Sequence, residues 1–120
     1  MTNEQLISLT NQIQNETGLG KLTKSNLNSN LKLRLFRLVT DIKESNAAKS
    51  LVEYQTDLQN KMQNGELTEA QANQEFFEVL KQESDLEIEK VQFPATELPD
   101  EFYVNDMELC RNVIEFVENE

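Results

Sequence analysis

The sequence predicts a mainly helical protein of the α+β class, formed as a single domain over residues 1–120. We expect one long central helix packed by two or three shorter helices, with a short β-strand or β-hairpin near residues 86–104. Three observations predict this class: apolar residues recur at helical spacing along most of the chain, no proline or glycine interrupts residues 21–64, and apolar alternation begins only after residue 85. A chain of 120 residues with 38% apolar and 28% charged residues can bury a modest core.

The first element is a helix within residues 1–17. Thr2 and Gln5 have the spacing of a capping box, in which each side chain bonds the other residue's backbone N–H. Apolar residues then follow at helical spacing: Leu6, Leu9 and Ile13. The segment "TGLG" at 17–20 predicts the end of this helix, because glycine tolerates the left-handed conformation found there.

The central element spans residues 22–64, as one long helix or as two helices in series bent near "ESNAA" at 44–48. One apolar stripe consists of Leu27, Leu31, Leu35, Leu38 and Ile42. A second, nearly opposite stripe consists of Leu33, Phe36, Ala47, Leu51, Tyr54, Leu58 and Met62. A helix that is apolar on two sides must be covered on two sides, so we expect a homodimer or larger assembly joined through this element.

A turn at Asn64-Gly65 precedes a second capping box, formed by Thr68 and Gln71. It predicts a helix over residues 68–83, whose inward side chains are Ala72, Phe76, Phe77, Val79 and Leu80.

The last third of the chain predicts a strand and loop region over residues 85–104, followed by a helix over 106–118. In "DLEIEKVQFP" apolar and charged residues alternate, which is typical of a short strand, and "EFYV" is a candidate second strand. The closing helix is predicted by apolar residues on one helical face: Met107, Cys110, Ile114 and Val117.

The residue types present argue against an enzyme. The chain has no histidine, which excludes serine–histidine and cysteine–histidine catalysis and removes the commonest zinc ligand. "GLGK" lacks the spacing of a phosphate-binding loop. The single cysteine, Cys110, has apolar or acidic neighbours and is expected to be a small core residue. We therefore expect no catalytic residue, no metal site and no cofactor.

The sequence shows neither a signal peptide nor an apolar run long enough to cross a bilayer. We accordingly expect a soluble cytoplasmic protein that has no association with a membrane.

Charge is distributed unevenly along the chain. Seven basic and four acidic residues precede position 51, whereas four basic and 18 acidic residues follow it, and the net charge is −11. Direct binding of nucleic acid is not expected, because the molecule as a whole repels phosphate. The acidic half either folds against the basic helix of its own or a second copy, or forms a surface that binds a basic partner. The candidate interaction surface consists of Asp85, Glu87, Glu89, Asp100, Glu101, Arg34 and Arg37.

The order of segments resembles a group of small uncharacterised proteins of phages and prophages of Gram-positive bacteria. The segments concerned are "GLGKLTKSNLNSNLKLRLFRLVTDIKE", "YQTDLQNKM", "EFFEVLKQESDLEIEKVQF" and "MELCRNVIEFVE". The resemblance implies a phage origin and a bacterial host cell, and it carries no activity. Together with the composition, it predicts a non-enzymatic accessory protein that binds itself, a phage protein or a host protein. The alternative is an inhibitor of a host nucleic-acid enzyme, of the anti-restriction or anti-CRISPR type, whose acidic surface mimics phosphates.

Overall fold

A computed structural model describes residues 1–118, in which six α-helices accompany one small parallel sheet. The helices are α1 (Asn3–Asn15), α2 (Leu19–Thr23), α3 (Ser29–Lys43), α4 (Asn46–Gln63), α5 (Glu69–Leu80) and α6 (Val104–Cys110). The strands are β1 (Val91–Pro94) and β2 (Ile114–Val117), and a short 3-10 helix covers Ala95–Glu97. The predicted mainly helical α+β class is confirmed.

Helix α1 begins with the predicted capping box. The Thr2 hydroxyl accepts from the Gln5 backbone N–H at 3.2 Å, and the Gln5 side chain accepts from the Thr2 N–H at 2.9 Å. The helix ends one turn before the glycines, because Glu16 itself takes the left-handed conformation with φ 58°. The N-terminal residue is held as well, since Met1 O accepts from the Ser84 N–H at 2.9 Å.

The long central element is two helices in series, α3 and α4, so a single continuous helix is not formed. The Ser45 side chain accepts from the Ala48 N–H at 3.0 Å and starts α4 inside the "ESNAA" segment. The Asn28 side chain caps α3 in the same way at the Leu31 N–H, also at 3.0 Å. The prediction that the central element starts at residue 22 is therefore wrong. The cap at Asn28 starts α3 at residue 29, and α2 is a separate short helix.

The main core lies where α1, α2 and α3 meet the sheet and α6. Its fully buried side chains include Leu6, Leu9, Leu19, Leu22, Leu35, Ile42, Phe93, Cys110, Val113 and Ile114. The first predicted stripe of the central element faces this core along its whole length. The second stripe is only partly covered. Leu51 and Leu58 are buried by the elements that pack against α4, whereas Leu33 and Phe36 are exposed.

Helices α4 and α5 form an antiparallel hairpin that extends from the core, and we call residues 52–78 the arm. Its interior is thin, with Leu58 and Ala72 buried between the helices and Tyr54 stacked on Phe76 at 6.4 Å. The connection at the tip contains Gly65, whose φ of 80° is a left-handed value that suits glycine. The arm makes the molecule elongated, with extents of 55 × 24 × 20 Å.

The sheet corrects two expectations about the last third of the chain. The strand expected within 86–104 is present as β1, but it pairs with β2 in parallel, Val91 opposite Ile114, rather than in a hairpin with "EFYV". The helix expected over 106–118 ends at Cys110, and the residues beyond Val113 form β2. In residues 114–117 the apolar side chains alternate with Glu115, which suits a strand as well as a helix. These residues form a strand because the backbone groups of β1 are free to pair with them.

Gly20 allows α2 to pack directly on the end of α1. A Cβ atom at this position would lie 2.1 Å from the Gln12 backbone oxygen, which is too close for any real contact. We expect Gly20→Ala to lower the free energy of unfolding by about 1–3 kcal/mol through overpacking. Urea denaturation followed by circular dichroism measures the change.

The matched control for Gly20→Ala is Gly65→Asn at the tip of the arm. A Cβ at Gly65 would meet nothing within 4 Å, and asparagine is among the residues that tolerate left-handed backbone. We expect this substitution to change stability by less than about 1 kcal/mol. Equal losses at the two glycines would contradict close packing of α2 on α1.

Candidate functional site

The outer side of α3 carries exposed apolar and basic side chains together. Its inner side is occupied by the first stripe, so residues displaced by half a turn face water. Leu33 is 47% exposed to solvent, and Phe36 is 67% exposed. We call the set Lys32, Leu33, Phe36, Arg37 and Lys43 the α3 face; all five are exposed.

The three charged residues of the α3 face are all basic, although the chain carries a net charge of −11. Within residues 1–118, the ion pairs closer than 4.0 Å involve other cations, so none neutralises Lys32, Arg37 or Lys43. The exposed acidic residues Asp41 and Glu44 follow Arg37 at helical spacing and border this strip. A mainly basic, partly apolar strip on a negative molecule is the arrangement expected of a contact with an acidic partner.

Part of the predicted interaction surface comes together beside the α3 face. Arg34 and Arg37 line a shallow groove of about 350 Å³ with Glu87 and Glu89 from the segment before β1. The groove floor is apolar and contains Leu38, Ile88 and Val91. Over the described part of the chain, no arginine–carboxylate contact within 4.0 Å crosses this groove. Opposite charges are therefore neighbours here without forming direct ion pairs.

The other predicted acidic residues lie elsewhere. Asp85 lines a depression at the base of the arm, beside Asn46 and Tyr54. Asp100 and Glu101 lie in the turn before α6, where the Glu101 backbone carbonyl accepts from Lys21 Nζ at 3.0 Å. The structure thus groups four of the seven predicted residues in one groove and separates the remaining three.

A partly buried ion pair that the sequence did not predict joins α2 to α6, with the Asp106 side chain 7% exposed and that of Lys21 29% exposed. Asp106 Oδ2 accepts from Lys21 Nζ at 2.7 Å and from the Tyr103 N–H at 3.0 Å, and Oδ1 accepts from the Gly18 N–H at 3.1 Å. Burial alone would raise the pKa of Asp106, but the bonds from Lys21, Tyr103 and Gly18 outweigh it and hold the pKa below its ordinary value. Both carboxylate oxygens of Asp106 accept hydrogen bonds from groups of the fold, so this pair is structural.

Gln12 extends the same polar layer between α1 and α6. Its Oε1 accepts from the Leu19 N–H at 3.0 Å, and its Nε2 donates to the Leu109 carbonyl at 2.7 Å. Among residues 1–118, no buried side-chain polar atom lacks a hydrogen-bond partner. A fully satisfied layer of this kind fixes the packing of helices and leaves no free group for a ligand.

Cys110 is fully buried, as expected of a core residue. Burial raises the pKa of its thiol to about 12. The thiolate is the reactive form of cysteine, so this side chain is not a nucleophile at neutral pH.

The arm carries a second surface, a groove of about 440 Å³ between α4 and α5. We call its lining the arm face: Val52, Gln55, Thr56, Leu58, Gln59, Met62, Ala72, Asn73 and Phe76. None of these residues is charged. Val52 at its edge is 61% exposed.

Over residues 1–118, no three acidic or cysteine side chains come together in a way that would hold a metal ion. In the same part of the chain, no helix has the length and apolar content needed to span a membrane.

Comparison with known proteins gives no relative: no family model matches the chain, and no significant match is found among curated proteins or solved structures.

Proposed function

We propose that this chain is a small non-enzymatic protein that acts by binding other proteins through the α3 face. The observation that carries the proposal is the exposure of Leu33 and Phe36 between basic side chains. Aromatic residues and arginine are enriched at protein interfaces, and a few such side chains dominate binding energies. The partner surface that fits is acidic and offers an apolar pocket for Phe36.

A protein partner fits this face better than nucleic acid does. The net charge of −11 opposes approach to any extended run of phosphates. Locally, Asp41, Glu87 and Glu89 border the groove next to Arg34 and Arg37. A protein can present both signs of charge in complementary positions, whereas a nucleic-acid backbone presents only one.

The proposed setting is the cytoplasm of a bacterial host cell, where the chain serves a phage in a structural or regulatory accessory role. The resemblance to small phage and prophage proteins supports this setting. The partners proposed are a phage or host protein and a second copy of the chain, because the second apolar stripe of the central element is only partly covered within one chain.

A second candidate function is inhibition of a host nucleic-acid enzyme by mimicry of phosphates. Its supporting observation is that Asp85, Glu87 and Glu89 are all exposed in the segment before β1. Against it, Arg34 and Arg37 lie in the same groove as two of these carboxylates and weaken the negative potential there. We therefore rank this function second.

The double variant Leu33→Ser/Phe36→Ser tests the α3 face. We expect it to lose the proteins that the tagged wild type captures from bacterial lysate, because the apolar anchors are gone. Its melting temperature should stay close to that of the wild type, since both side chains are largely exposed. Quantitative mass spectrometry of captured proteins and a thermal melt give the two readings.

Val104→Ser is the matched control, because Val104 is 74% exposed at the start of α6 and lies outside the α3 face. It should capture the same proteins as the wild type. If the double variant also captures them undiminished, the α3 face is not the binding surface. Loss of capture in Glu87→Lys/Glu89→Lys alone, with recovery of a nuclease by the wild type, would favour inhibition instead.

A further inference from the structure

The tip of the arm contains the one Asn-Gly pair of the sequence, Asn64-Gly65. The pair forms the predicted turn between α4 and α5, and residues 63–66 are all exposed. Asparagine is among the thermolabile residue types. Attack on its side-chain amide carbon, Cγ, by the backbone nitrogen of the next residue closes a five-membered ring.

The surroundings of Gly65 leave its backbone nitrogen open to this reaction. A Cβ atom at this position would meet nothing within 4 Å, so no neighbouring group of the fold shields the peptide bond on that side. Because glycine has no side chain and adopts both signs of φ, the bond that follows Asn64 rotates more freely here than before other residue types. Gly65 already uses this freedom, with a φ of 80°.

The last turn of α4 has to open before the ring can close. The Gly65 N–H donates to the Met62 carbonyl at 3.1 Å. A ψ of −2° at Asn64 holds the Gly65 nitrogen on the side of the Asn64 nitrogen, away from the Asn64 side chain. This bond lies at an exposed helix end, where water replaces the lost partner and opening requires little free energy.

We propose that Asn64 is a site of spontaneous intramolecular deamidation, in which the backbone nitrogen of Gly65 attacks Asn64 Cγ. The N–Cγ bond forms and the Cγ–Nδ2 bond breaks. The Gly65 nitrogen gives its proton to water, and Nδ2 takes up a proton from water and leaves as ammonia. Water then adds to one of the two carbonyl carbons of the ring. Cleavage of the N–Cγ bond gives aspartate, whereas cleavage of the bond from nitrogen to the main-chain carbonyl carbon gives isoaspartate.

Two other asparagines are matched internal controls. Asn73 is also exposed, but it lies inside α5 and precedes a glutamine. Asn28 precedes a small residue, Ser29, but its Oδ1 accepts from the Leu31 N–H at 3.0 Å as the cap of α3. This hydrogen bond fixes the Asn28 side chain in a position that serves the helix. We expect both controls to retain their amides while Asn64 loses its own.

Peptide mapping of the folded chain after incubation at mildly alkaline pH is the test, with an unincubated sample as background. Cleavage by trypsin after Lys61 and Lys81 releases residues 62–81, which contain both Asn64 and Asn73. Replacement of an amide NH₂ by OH raises the peptide mass by about 1 Da, and fragmentation assigns the change to one residue. We expect the change at Asn64, as two products of equal mass that chromatography separates.

Gly65→Asp is the variant that tests the attacking atom. Aspartate is among the residues that adopt left-handed backbone, but its side chain crowds the nitrogen. The variant should retain the Asn64 amide over the time in which half of the wild type converts. Equal rates would overturn the proposal, and so would aspartate formed without isoaspartate, since direct attack by water gives aspartate alone. An amide retained in the folded chain but lost from the same chain in urea would also overturn it, because the last turn of α4 would then protect Asn64.

Conversion adds a negative charge at the C-terminal end of α4, two residues before Glu66. A negative charge there opposes the helix dipole. Amide hydrogens in the last turn of α4 should therefore exchange faster with solvent in Asn64→Asp than in the wild type, while those of α1 to α3 are unchanged. Asn64→Gln adds no charge and should exchange as the wild type does. Equal exchange in the two variants would contradict a loosening of the arm by deamidation.

Discussion

Replacement of Phe93 by alanine is expected to lower the free energy of unfolding by about 3–5 kcal/mol. Phe93 is fully buried in β1, and its ring meets the edge of Phe116 from β2 at a centroid distance of 6.1 Å. The substitution removes the largest fully buried side chain of the core and leaves a cavity between the sheet and α3. Urea denaturation at low protein concentration, followed by far-ultraviolet circular dichroism, measures the loss.

Phe36→Ala is the matched control, because it deletes the same side chain from the exposed α3 face. At 67% exposure Phe36 has little burial to lose, so the change should stay within about 0.5 kcal/mol. Similar losses for the two variants would mean that Phe36 is covered in the free protein, which would contradict an available α3 face.

Helix starts were predictable at the two capping boxes, where a local side chain decides them. Thr2 and Thr68 each bond a backbone N–H three residues later, and no distant part of the chain is needed for that contact. The segment "ESNAA" marked the bend in the central element for the same reason, since Ser45 supplies the cap of α4. The end of α1 was also predictable, but the residue in the left-handed conformation is Glu16 rather than one of the glycines that follow it.

Strand β2 was not predictable from local pattern. Met107, Cys110, Ile114 and Val117 fit helical spacing, and the same segment fits strand spacing over its last four residues. The choice is made by β1, whose partner residues lie 23 positions earlier along the chain. A parallel pair needs a connection between its strands, and the short helix α6 belongs to that connection.

The proposed interaction surfaces were predictable in part. The double stripe of the central element predicted that both of its sides would be covered, with a second subunit joined through this element. Within one chain, Leu33 and Phe36 of the second stripe are exposed. The arm face was not predictable from the sequence, because its uncharged residues come from two helices. Neither helix on its own has a continuous uncharged segment, and the uncharged surface forms only when the two helices pack together.

The partly buried ion pair between Lys21 and Asp106 was not predictable from the sequence for a different reason. The two residues are 85 positions apart in the sequence. Nothing in the local sequence distinguishes either of them from the exposed residues of the same charge around it. Lys21 belongs to the basic half of the chain and Asp106 to the acidic half. Only the fold shows that the two charges pair between α2 and α6.

Asp106→Ala is expected to lower the free energy of unfolding by about 3 kcal/mol at pH 7. The substitution leaves three donors without their acceptor: Lys21 Nζ, the Gly18 N–H and the Tyr103 N–H. Asp106→Asn retains a neutral acceptor and should cost less. Asp57→Ala is the control, because its ion pair with Lys61 is exposed and such pairs contribute about 0.3–0.5 kcal/mol.

The stabilisation by Asp106 should depend on pH in one direction. Since its folded-state pKa lies below the ordinary value of 3.8, the charged carboxylate favours the folded state at every pH above that value. As pH falls below 3.8 the unfolded chain takes up the proton first, and the contribution is lost progressively as pH approaches the lower folded-state pKa. The difference in unfolding free energy between the wild type and Asp106→Asn should therefore be constant from pH 5 to 8 and shrink below about pH 4. Chemical denaturation of both proteins at matched pH values cancels the background from the other carboxylates. A difference that persists unchanged at pH 3 would show that the side chain acts through its shape and hydrogen bonds rather than through its charge.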